Sequence, residues 1–85
     1  MTPELQILLD YIREQLGYQG ALGLDDDLLE NRILDSFNII ELALFIQTRF
    51  GIELDADDLV RANLARLSSM ISLIERKRSE GQEVQ

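Results

Sequence analysis

Residues 36–50, Ser36-Phe37-Asn38-Ile39-Ile40-Glu41-Leu42-Ala43-Leu44-Phe45-Ile46-Gln47-Thr48-Arg49-Phe50, form a helix that is apolar on two sides. At ~100° per residue, Ile39, Leu42, Ala43, Ile46 and Phe50 share one face, while Phe37, Ile40 and Leu44 lie nearly opposite, interleaved with Glu41 and Thr48. Eighty-five residues allow one domain with a small core, and such a core cannot easily take in both sides of one helix. Either a long loop covers the second stripe, or the stripe is an exposed patch for partners. Its position beside Ser36 favours the partner surface.

The rest of the chain supplies that helix with neighbours. Thr2-Pro3-Glu4 is a helix start, with a hydroxyl cap, a proline in the first turn and an acid near the positive end. Leu5, Leu8, Leu9, Ile12 and Leu16 then recur on one helical face, and Gly17 can stop the helix in the left-handed conformation. Asp55 opens a short helix, with Asp58 at its third position and Leu54 and Leu59 placed as a hydrophobic staple; Leu59 and Val60 are expected to face inward. A last helix starts between Asn63 and Arg66, buries Leu64, Leu67, Ile71 and Ile74 with Met70 beside them, and ends on the cations of Glu75-Arg76-Lys77-Arg78. Arg61 reads as a solvated charge. The expected fold is all-α: a four-helix bundle with a short third helix and a long loop between helices one and two.

That loop, Gly17 to Leu34, has no sustained period. Its anchors Leu22, Leu24, Leu28, Leu29, Ile33 and Leu34 suggest that it lies across the bundle. Asp25-Asp26-Asp27 invites a calcium reading, which fails: counting from Asp25, the position that needs glycine is Glu30, and Leu29 interrupts the alternating oxygen ligands. The run reads better as an acidic turn capping a short helical segment.

At the junction Leu34-Asp35-Ser36-Phe37, Asp35 or Ser36 can cap the second helix. With Asp35 as the cap, Leu34 and Ile39 take the two staple positions. Ser36 then stands at the helix mouth, where backbone donors and the macrodipole favour a negative group such as a phosphate ester. By itself such a junction is an ordinary helix start.

Composition narrows the chemistry. With sixteen acidic and eight basic residues the formal net charge is −8, which disfavours nucleic-acid and membrane-surface binding and steers the chain toward basic patches on other proteins. There is no cysteine and no histidine, so a thiol nucleophile, a disulfide and the usual general base are all missing. No catalytic or metal-ligating residue is assigned. No signal-like segment is evident and no apolar run approaches ~18 residues, so a soluble, cytoplasmic monomer is expected.

Taken together, Asp25 to Ser36, the apolar helix and Phe50-Gly51-Ile52-Glu53-Leu54-Asp55 resemble the acyl carrier and peptidyl carrier proteins, over roughly Leu5 to Lys77. That family's pattern is an acidic-Leu-Leu loop, Asp-Ser-Leu, an apolar helix, Phe-Gly-Ile-x-Leu and a short acidic helix. The resemblance implies that Ser36 is the attachment site of 4′-phosphopantetheine, that Asp35 helps a phosphopantetheinyl transferase recognise it, and that the thiol absent from the chain arrives on the arm as the carrier of a thioester. It implies a carrier domain over 1–78 with a flexible tail over 79–85, and no catalysis of its own. The partners implied are the transferase, which uses coenzyme A and magnesium, an acyltransferase or adenylating ligase that charges the thiol, and a downstream synthase. They are expected to dock on Phe37, Ile40, Glu41 and Leu44.

Three departures stand out. Arg32 replaces the glycine of the usual Leu-Leu-Glu-Asn-Gly segment. Gln47, Thr48 and Arg49 stand where glutamates are common in the fatty-acid-synthesis members, and Asn38 stands where an acid is frequent. The first bears on the local turn geometry; the other two speak against the housekeeping fatty-acid role and favour a discrete carrier, in polyketide, nonribosomal peptide or other specialised (antibiotic-type) biosynthesis, with D-alanine transfer to cell-wall polymers and general fatty-acid synthesis as the runner-up pathways. An unmodified helical interaction module, with Ser36 only a cap, and a small enzyme using Ser36 or a carboxylate are the rival readings from other classes.

Overall fold

A computed structural model describes residues 3–83, and side-chain surroundings as far as residue 79. The described residues are all-helical: α1 (Pro3–Gln15), α2 (Asn38–Phe50), a 3-10 turn (Ala56–Asp58), α3 (Arg61–Leu64) and α4 (Leu67–Glu83). The expected four-helix architecture is therefore present, with the short third region divided into a 3-10 turn and a single turn of α-helix.

α1 places Leu8, Leu9 and Ile12 in the core, as their spacing requires, and stops before Gly17, whose φ of 72° is left-handed. The expected Thr2 cap lies outside the described residues. α2 buries Leu42, Ala43, Ile46 and Phe50. It closes at Gly51 (φ 66°), where the N–H groups of Gly51 and Ile52 both reach the Gln47 carbonyl. Leu8, Ile12, Leu42, Ile46, Met70, Leu73 and Ile74 are fully buried where α1, α2 and α4 meet.

The long connection is fixed to the bundle. Leu28 and Leu34 are buried from it, and each contributes roughly 1.5–3 kcal/mol relative to an exposed side chain. Its backbone is bonded at the corner of α3 and α4: Leu28 N–H donates to the Ala65 carbonyl at 2.7 Å and Ser68 N–H to the Leu24 carbonyl at 3.0 Å. The Ser68 hydroxyl donates to Asp25 Oδ1 at 2.9 Å, and Arg66 Nε to the Asp25 carbonyl at 3.1 Å.

The C-terminal half departs from the sequence reading in three ways. Leu64 belongs to α3 rather than α4, and the stripe of α4 rotates to bury Leu73 fully while Ile71 is only half-buried. Leu59 and Val60 do not face inward; they are 48% and 43% exposed, because the helix is interrupted between the 3-10 turn and α3, where Val60 is extended (φ −117°, ψ 156°). Third, α4 does not end on its cations but continues to Glu83. Lys77 and Arg78 therefore reach sideways. Lys77 Nζ is 2.8 Å from Asp58 Oδ2; Arg78 Nη1 is 2.7 Å from Glu4 Oε2, with its guanidinium 5.4 Å above the Phe50 ring. The 78/79 boundary expected for the domain coincides with no break in that helix.

Candidate functional site

Asp35 caps α2. Its Oδ1 accepts from the N–H of Phe37 at 2.8 Å and of Asn38 at 2.9 Å, and its carbonyl accepts from Ile39 N–H at 3.0 Å. Asn38 returns the bond, its Oδ1 accepting from Asp35 N–H at 2.6 Å. This is a capping box with the shorter Asn in the place usually held by Glu or Gln. Phe37 already has helical dihedrals (φ −90°, ψ −54°), so the helix effectively begins at Ser36. Leu34 is buried and Ile39 packs against the core, at the two staple positions.

Ser36 is exposed at the first position after that cap, and among the described residues its hydroxyl has no hydrogen-bond partner. The helix mouth differs from expectation in one respect. The donors of Phe37, Asn38 and Ile39 are already engaged by Asp35, so they are not free to cradle a phosphate.

Phe37 is 84%, Ile40 60% and Leu44 56% exposed, so the loop does not cover the second stripe of α2. Across from the stripe stand Leu59 and Val60. Between them lies a groove of about 310 Å³ whose walls are almost entirely apolar, with Ser36 at its rim and Leu64 and Ala43 in its lining. Gln47 supplies one of its few polar atoms, and its Oε1 is committed to Leu54 N–H at 2.8 Å. Of the residues singled out from sequence, Ser36, Ile40 and Leu44 line the groove; Asp35, Phe37 and Glu41 do not. Tyr11 packs against Phe45, ring centroids 4.4 Å apart, and its hydroxyl titrates above its ordinary value because it is partly buried and then because Glu41 is near.

Asp27 fastens the far wall. Its Oδ1 accepts from Leu29 and Glu30 N–H, each at 3.0 Å, as an acidic cap, and its Oδ2 lies 3.0 Å from Arg61 Nη2 and 3.8 Å from Arg66 Nη2. Its carboxyl is held below its ordinary range, foremost by the Glu30 backbone N–H and also by Arg61. Arg61, which from sequence reads as a solvated charge, is thus a strut between α3 and the loop. On the other side of α3, Asp58 is held low by Lys77 first and by the Asp55 backbone N–H second. Among the described residues no cluster of acids could hold a metal ion.

Arg32 has a left-handed φ of 63°. It ends the short helical turn that Asp27 caps: its N–H donates to the Leu29 carbonyl at 3.2 Å and Ile33 N–H to the Leu28 carbonyl at 2.9 Å, the paired bonds of a helix terminus that normally takes glycine. The turn geometry survives the departure from glycine.

The family model described as "Phosphopantetheine attachment site" matches residues 6–74, most of the chain. No curated protein matches the sequence.

Proposed function

The chain belongs to the phosphopantetheine attachment site family, and from that membership we propose that Ser36 is the hydroxyl that takes the 4′-phosphopantetheine arm. The observation that supports this choice most is the pairing of position and freedom. Ser36 is the residue just inside the capped start of α2, it is exposed, and no protein group competes for its oxygen. The residues fit the arm in a particular way. With the N–H groups of Phe37, Asn38 and Ile39 engaged by Asp35, these three donors do not hold a phosphodiester on Ser36, and the arm extends from a rigid root. Asp35 keeps a second carboxylate oxygen at the surface, available to the transferase.

When attached, the arm supplies the thiol on which partner enzymes build and use a thioester. The chain's own share is presentation. The stripe of Phe37, Ile40 and Leu44, with Glu41 beside it, forms the docking face, and apolar docking of this kind is less weakened by salt than a row of glutamates would make it. The charging partner is an acyltransferase or adenylating ligase, the consuming partner a synthase, in polyketide, nonribosomal peptide or related specialised biosynthesis. Tethering raises the effective concentration of cargo at each of them, so weak docking suffices. The apolar groove favours an acyl cargo over an aminoacyl one, because an ammonium there would lose its hydration and find no partner.

Incubation with coenzyme A, magnesium and a broad-specificity phosphopantetheinyl transferase, read by intact mass spectrometry, tests the proposal. A gain of one phosphopantetheine supports the carrier; an unchanged mass beside a control carrier that is modified leaves the unmodified interaction module in its place.

A further inference from the structure

We infer that Asn38 is a positioning residue for the modification of Ser36, its side chain fastening both sides of the turn that presents the hydroxyl; this rests on reading Ser36 as the attachment residue. Asn38 Oδ1 accepts from Asp35 N–H at 2.6 Å, its Nδ2 donates to the Ile33 carbonyl at 3.3 Å, and its own N–H donates to Asp35 Oδ1 at 2.9 Å. Residue 38 is thereby joined to two residues on the other side of Ser36. The serine side chain takes no part, so the hydroxyl stays open to solvent while the backbone that bears it is held.

An amide is suited to this in a way that an acid is not. A carboxylate could accept from Asp35 N–H but could not donate to the Ile33 carbonyl. It would also set a second negative charge against Asp35, which already uses the positive end of α2. The amide closes the turn and leaves Asp35 the one anion at the junction.

Transfer of the arm asks for that rigidity. The Ser36 oxygen forms a bond to the coenzyme A phosphorus that bears the pantetheine. The bond from that phosphorus to adenosine 3′,5′-bisphosphate breaks, the bisphosphate leaves with the electron pair, and the hydroxyl proton passes to a base on the transferase. In-line displacement depends on where the attacking oxygen stands. A turn that fluctuates holds the oxygen in line for a smaller fraction of time, whereas the docking stripe is unaltered. Loss of the amide therefore acts on kcat more than on KM.

The experiment compares the 85-residue chain with its Asn38→Ala and Asn38→Asp variants, using a transferase, magnesium and coenzyme A, with the modified peptide mapped and the melting of each variant followed by circular dichroism. Assays run well below the lowest melting temperature, so that a merely less stable but folded variant reacts at the wild-type rate. The expected result is a fall in kcat of about five- to tenfold in Asn38→Ala, the effect of one or two net hydrogen bonds, with KM little changed. Asn38→Asp, which keeps the accepting bond, should fall between. Wild-type modification at Ser36 with equal kcat in all three, or a loss confined to KM, overturns the role of Asn38 alone. A wild-type chain left unmodified at Ser36, beside an active control, overturns the attachment reading as well.

Discussion

Replacing Arg32 by glycine should stabilise the protein. Arg32 holds a φ of 63° at the end of the turn capped by Asp27, with its N–H bonded to the Leu29 carbonyl. The left-handed conformation costs a residue with a Cβ roughly 1–2 kcal/mol. Glycine removes that cost but gives the unfolded chain more freedom, which returns roughly 0.5–1 kcal/mol. The Arg32 side chain is exposed, so little packing is lost. Taken at mid-range the difference is a net gain of about 0.75 kcal/mol, and at roughly 4–8 °C per kcal/mol for a domain of this size the melting temperature should rise by about 3–6 °C. Arg32→Ala keeps the Cβ and serves as the control, with a stability close to wild type. Thermal and urea unfolding of the three proteins decide the matter. If Arg32→Gly were no more stable than Arg32→Ala, the conformation at this position would not be strained and the reasoning would fail.

Two further outcomes follow from the site. Phe37→Glu and Leu44→Glu should leave melting nearly unchanged, because both side chains already face solvent, yet slow charging by the cognate partner; equal charging rates would remove the stripe as a docking face. Asp27 has its folded pKa depressed, so its contribution is complete above the unfolded carboxylate value of about 3.9 and is lost as pH falls through the lower folded value. Urea midpoints measured from neutral pH downward should therefore fall less steeply below about pH 4 in Asp27→Asn than in wild type, and parallel curves would contradict the stabilisation of the Asp27 carboxylate by the Glu30 N–H and Arg61.

How legible the molecule was depended on the length of each periodic segment. α1 and α2 repeat their apolar residues over several turns and end at glycines that are left-handed in the structure, so face and stop both follow from sequence. The region from Asp55 to Leu64 has no such run. A 3-10 turn and one turn of α-helix joined by a two-residue irregular link give Leu59 and Val60 no period from which to infer a direction, and they face the groove rather than the core. In α4 the buried residues Leu67, Met70, Leu73 and Ile74 share one face that is rotated from the one through Leu67, Ile71 and Ile74, which is how Leu73 escapes a reading built on those three. The acidic cap at Asp27 could be foreseen because its donors lie two and three residues away; its pairing with Arg61, 34 residues on, could not. The groove is likewise a product of tertiary structure, assembled from α2, the loop and α3. The junction at Ser36 was legible because a cap, a staple and a helix start are all local.

The anchoring of the arm at Ser36 is tested most directly by fragmenting the phosphopantetheinylated peptide and by repeating the transfer with Ser36→Ala. The account predicts that the added mass resides on Ser36 and that the alanine variant, folded as wild type by circular dichroism, takes up none. Full modification of Ser36→Ala, or an added mass that maps to another residue, would contradict it.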